Sequence, residues 1–128
     1  MTAVRPGEQG LTSTEVAVLM PVVIALVLVP FQLGLWWHAQ QVAEAAAREA
    51  VDAAQVADAT ESDGVAAAQR FLDAAGNLAD PQVTVIRDTE TVSVDVTGRA
   101  PRLLPGFDWG VTAHAAASME RFIPEPDR

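Results

Sequence analysis

The sequence predicts an α+β protein: a long N-terminal transmembrane helix that continues into a small extracytoplasmic domain with a short helix and a roughly three-stranded antiparallel sheet. Three observations predict it. Val16 to Trp37 contains no charged side chain and is built almost wholly of Val, Leu, Ile, Ala, Met and Phe, which is the length and chemistry needed to cross a bilayer core of about 30 Å. Ala39, Ala43, Ala46, Ala50, Ala53 and Ala57 then recur at alternating steps of four and three, a helical period carried past the apolar stretch. Further on the period falls to two: Val83 and Val85, then Val92, Val94 and Val96, alternate with polar residues, as half-buried strands do.

In chain order, Met1–Gly10 reads as a short polar leader with Arg5, Pro6 and two glycines and no helical pattern. Residues 11–37 are assigned to the membrane helix. Pro21 and Pro30 lie inside it; each removes a backbone donor and loosens or bends the helix locally. Trp36, Trp37 and His38 mark the far end, where amphipathic rings favour the headgroup level. Arg5 and the α-amino group precede the span, whereas Glu44, Arg48, Glu49 and Asp52 follow it. That asymmetry places the N-terminus in the cytoplasm and the rest outside, as a single-pass protein of the cytoplasmic membrane.

The helix is expected to run as one rod from about Thr12 to Ala59, with Glu44, Arg48 and Asp52 able to pair along one face. The alanine stripe has two readings that stay open: the high helix propensity of alanine in an alanine-rich chain, or a packing seam where small residues let backbones approach. A seam needs a partner, either the chain's own sheet or another subunit. Thr60–Gly64 breaks the rod, and Ser62 or Asp63 is expected to cap a second helix from about Val65 to Ala75, ended by Gly76. Two strands joined by Asp88-Thr89-Glu90 form a hairpin. Arg99–Gly110 is a loop punctuated by Pro101, Pro105 and Gly106. Val111–Glu120 is rich in alanine yet alternates, and is assigned as a third strand because a hairpin needs a partner. The domain is expected to occupy residues 38–123, followed by a disordered tail over 124–128.

Composition narrows the chemistry. The chain has 128 residues and no cysteine, which excludes disulfides, thiolate metal sites and cysteine nucleophiles. Its formal charge is −9, which argues against charge-driven binding to nucleic acid or anionic lipid. His38 and His114 have no second ligand at zinc spacing. Arg102, Asp108 and Glu120 make no recognisable catalytic set. No catalytic residue, metal or cofactor is expected. Leu103, Leu104, Phe107 and Trp109 cluster in the proline-containing loop and either close the small core or form an apolar contact surface.

The most specific motif lies at the start of the span, where Gly10-Leu11-Thr12-Ser13-Thr14-Glu15 runs directly into the apolar stretch. A carboxylate at a membrane edge is costly and needs a reason. One reading is a capping box, with Thr12 as cap and Glu15 reaching back to it. The other is a processing signal, because a cut after Gly10 makes Glu15 the fifth residue of a new N-terminus. Glu8 to Pro21 resembles the start of TadE-like pseudopilins of the tight-adherence (Flp-type) pilus system. Gly34 to Ala50 resembles the alanine-rich continuation common in actinobacterial members.

The resemblance covers about the first 55 residues well and the remainder in outline, as a pilin-like helix followed by β-structure. It implies a minor pilin that is cut between Gly10 and Leu11 by a membrane prepilin peptidase and works non-catalytically. Its partners would be the membrane, other pilin or TadE-like subunits and the pilus assembly machinery. Glu15 would pair with the new α-amino group of a neighbouring subunit and set register during assembly. Val16 departs from the Glu-Tyr pair of the major Flp pilins, and the chain is longer than those subunits. The alternative is a single-pass, membrane-anchored extracytoplasmic binding module with an uncleaved signal anchor; a protein secreted after ordinary signal-peptide removal is a third reading.

Overall fold

The computed structural model describes residues 8–119, with side chains from Ser13 onward. The expected leader up to residue 7 and the tail over 124–128 lie outside the described residues. The element order is α1 (Glu8–Ala54), α2 (Glu61–Ala75), β1 (Ala79–Arg87), β2 (Thr91–Arg99) and β3 (Gly110–Ser118). This is the α+β arrangement expected, with one long apolar helix, one short helix and a three-stranded antiparallel sheet in the order β1-β2-β3.

Helix α1 is continuous over 47 residues, through both Pro21 and Pro30, and is therefore about 70 Å long at 1.5 Å per residue. Both of its ends differ from expectation. It begins at Glu8, so Glu8, Gln9 and Gly10 are helical. Thr12 is consequently inside the helix and is not its cap, which removes the capping-box explanation of Glu15. It ends at Ala54 and not near Ala59, because a side chain from the sheet takes over its last carbonyls. Arg87 donates from Nε to the Ala54 carbonyl at 3.0 Å and from Nη2 to those of Val56 and Ala57 at 2.9 and 3.2 Å. Carbonyls left over at a helix end need such donors.

Helix α2 starts earlier than its apolar pattern indicates. Thr60 is the cap, accepting from the Asp63 backbone N–H, while the Asp63 carboxylate accepts from the Thr60 backbone N–H at 2.7 Å. Asp63 is thus the reciprocal partner three positions on, and neither it nor Ser62 is the cap. Gly76 ends the helix in the left-handed conformation, φ 68°, with its N–H donated to Leu72 O.

The strands begin and end close to where the alternation places them. Val94 pairs with Val85 on one side and Ala115 on the other, and Val96 with Val83 and Ala113. Val92, Val94 and Val96 are therefore aligned on one face of the central strand, and all three are fully buried. That face packs on the distal half of α1, where Ala39, Ala43, Ala46, Ala47, Ala50 and Ala54 expose nothing. Small side chains let two layers approach closely. At Gly64 in α2, an added Cβ would meet Ala50 O and Ala54 Cβ at 3.0 Å. Ala68 and Leu72 complete the core from α2.

Candidate functional site

The two halves of α1 have different surroundings. Its distal half is covered by α2 and the sheet. Its proximal half is bare: Val16, Leu19, Val23, Val27 and Phe31, among others, are exposed. The most apolar window is only 6 % buried, unlike the core helix of a soluble protein. It is the one described helix long and apolar enough to cross a membrane. Glu15 stands at its start, on a shallow groove shared with Thr14, Val18, Leu19 and Val22. Between Glu15 and Glu44 no Asp, Glu, Lys or Arg occurs.

Of the proposed seam, Ala39, Ala43, Ala46 and Ala50 are brought together against the chain's own sheet and second helix. Ala53 is half-buried, and Ala57 is exposed beyond the end of α1. Ala47 and Ala54, outside the alternating pattern, are buried instead. Backbone helicity at Gly10 and Leu11 is continuous with the rest of α1.

Three side chains one helical turn apart, Gln32, Trp36 and Gln40, tie α1 to the loop before β3 and to that strand. Gln32 Nε2 donates to the Pro101 carbonyl at 3.1 Å, and the Leu103 N–H donates to Gln32 Oε1 at 2.8 Å. Trp36 Nε1 donates to the Gly110 carbonyl at 3.1 Å, and Gln40 Nε2 to that of Thr112 at 2.8 Å. Trp36 also meets Trp109 edge to face, with ring centroids 6.1 Å apart.

The Pro101–Trp109 loop divides its apolar residues between the two readings raised by the sequence. Leu104 and Trp109 are half-buried, whereas Leu103 and Phe107 are about half exposed, at 49 % and 55 %. Gln32 belongs to no motif or period in the sequence. The sign of it in the sequence is plain in retrospect: it is the sole polar side chain between Val16 and Leu35, and such residues in a span face protein contacts and not lipid.

Several other polar groups make structural contacts. His38 Nε2 lies 2.9 Å from Asn77 Nδ2, and His114 Nδ1 lies 2.8 Å from Asp95 Oδ1. Arg99 pairs with Asp80 at 2.7 Å and Asp108 at 3.5 Å. The two hydrogen bonds from Thr60 hold the Asp63 carboxyl below its ordinary value of 3.8. No group of three metal-capable side chains occurs among the described residues.

An exposed apolar helix, capped by a small α+β domain that packs on its distal half, makes a candidate single membrane span among the described residues. Residues 10–52 match the family model described as TadE-like protein. Over that segment, nearly the whole of α1, the chain is similar to TadE-like proteins. The match stops before α2 and the sheet. Neither the curated proteins nor the solved structures contain a match to the chain.

Proposed function

We propose that the chain is a minor pilin of the tight-adherence system, a structural subunit that helps assemble or anchor the pilus. The observation that carries this reading is the bare proximal half of α1, uncharged from Val16 to Phe31 and preceded by Glu15. In this reading the N-terminus faces the cytoplasm, residues 11–37 form the membrane segment, and the domain over 38–123 stands outside. A prepilin peptidase removes residues 1–10 by cutting between Gly10 and Leu11. Glycine before the cut lets an enzyme approach the backbone without a side chain in the way.

The exposed side chains of α1 then pack against other subunits in the membrane. Glu15 pairs with the new α-amino group of a neighbour's Leu11, which offsets the cost of a carboxylate at the membrane edge.

N-terminal sequencing of the protein from cells with an active prepilin peptidase tests the proposal. Leu11 as the first residue, lost on Gly10→Asp, is the expected result. Met1 as the first residue would overturn it in favour of an uncleaved membrane-anchored binding module. A start near Ala39 or later would mean secretion.

A further inference from the structure

We propose that the Pro101–Asp108 loop is a second membrane-contacting element, resting at the outer headgroup–acyl boundary with Leu103 and Phe107 among the lipid chains. The inference depends on α1 spanning the bilayer with Glu15 near its inner boundary. A hydrocarbon core of about 30 Å takes about 20 helical residues. Counted from Val16, the core ends near Leu35. Gln32 therefore lies within one helical turn, about 4.5 Å, of the outer edge of the hydrocarbon, and the loop is fastened there, through Pro101 O and the Leu103 N–H.

The loop is built for that depth. Gln32 is only 2 % exposed, and both ends of its amide are satisfied by loop backbone, so no bare amide faces lipid. Leu104, Phe107 and Trp109 line a groove with Val29, Gln32 and Leu33 of α1. Leu103 and Phe107 expose about half their surface, Leu103 beside Gln32 through its backbone N–H and Phe107 across the groove from Leu33. Apolar side chains of the span and of the loop thus meet along this groove.

Irregular backbone is not tolerated deep in hydrocarbon because its polar groups lack partners. That keeps the loop at the interface. Pro101 and Pro105 lower the number of N–H groups needing partners there. Exposed Arg102 can extend its guanidinium outward to the phosphates, and Asp108 is offset by Arg99 at 3.5 Å. The contact is apolar in origin, since the acidic chain gains nothing from anionic headgroups.

The chain has no cysteine, so single probes can be placed in the full-length protein. Leu103→Cys, Phe107→Cys, Thr89→Cys and Val23→Cys, each labelled with an environment-sensitive fluorophore, are reconstituted into phosphatidylcholine vesicles. Residues 103 and 107 are expected to show blue-shifted emission, loss of quenching by aqueous iodide, and strong quenching by a nitroxide high on the acyl chain. Position 89, on the turn between β1 and β2, should be quenched by iodide. Position 23 should be quenched by a nitroxide near the chain end.

Iodide quenching at 103 and 107 equal to that at 89, with 23 still in lipid, overturns the proposal and leaves the span intact. Shielding from both iodide and nitroxide means that another protein surface covers the loop, which also overturns it. Failure of position 23 to sense lipid removes the span itself, and the loop proposal falls with it. Should Phe107→Cys disturb Trp109, the Leu103 probe decides alone, because Leu103 is bonded to Gln32 through its backbone.

Discussion

Gln32 and Asp63 are the two side chains whose roles are most sharply defined by their partners. Gln32 receives and donates one hydrogen bond with the loop backbone. Gln32→Leu keeps the size but leaves Pro101 O and the Leu103 N–H without partners, at a cost of about 1–3 kcal/mol. The Leu103 amide should then exchange its hydrogen roughly 5- to 150-fold faster, measured by NMR on the protein in detergent or nanodiscs. Asp63 predicts a pH effect. Its carboxyl is held below the ordinary value of 3.8 by Thr60, so the ionised form favours the folded state. This contribution is fully present above 3.8 and is lost as pH falls through the lower folded-state value. Helicity and thermal stability should be flat in this respect from neutral pH down to about 5 and should decline in acid. Asp63→Asn should remove that part of the acid decline, as read by circular dichroism.

At the scale of elements, what the sequence reveals depends on whether the cause is local. Alternation around Val92, Val94 and Val96 locates β2 because each residue faces the core by period alone. The third strand is legible despite its alanines because Ala113, Ala115 and Ala117 keep the same alternation. The end of α1 is not legible, since its stop is the Arg87 guanidinium, 33 residues away from Ala54. The start of α2 is legible in Thr60-Glu61-Ser62-Asp63 once Asp63 is seen as the reciprocal partner and not the cap.

The alanine stripe fails only at its far end, and for a geometric reason. Steps of four and three average 3.5 residues, whereas a straight α-helix turns every 3.6, so the stripe drifts by about 20° per heptad. By the end of α1 the buried position has passed from Ala53 to Ala54. Ala46→Leu should therefore overpack the interface with the sheet and destabilise by about 1–3 kcal/mol or more. Ala57→Leu, at an exposed site, should stay within about 0.5 kcal/mol. Paired thermal melts in one detergent measure both.

For the whole molecule, the span and its apolar face are plain from composition, whereas the place where domain meets membrane is not. The sequence puts that boundary between Trp37 and His38; contacts from the domain reach down to Gln32. They arise from a residue pair 69 positions apart, which no local pattern encodes. Orientation is tested at this scale. In cells lacking prepilin peptidase, where the leader stays attached, a protease added outside intact protoplasts should cut a tag fused after Arg128, and should leave a tag fused before Met1 whole unless the cells are opened. The reverse pattern would invert the membrane topology drawn from Arg5 and the acidic distal flank.

The unbroken course of α1, with the sheet pinned to it at Gln32, Trp36 and Gln40, sets a rotational phase as well as a height. Each residue of helix adds about 100° of azimuth and 1.5 Å of rise. The compass bearing of Glu15 at one membrane face is thereby geared to the bearing of the sheet at the other. Inserting one alanine between Val22 and Val23 should turn the domain by about 100° relative to Glu15, whereas four inserted residues should bring it back to within about 40° of its bearing while lifting the domain by about 6 Å.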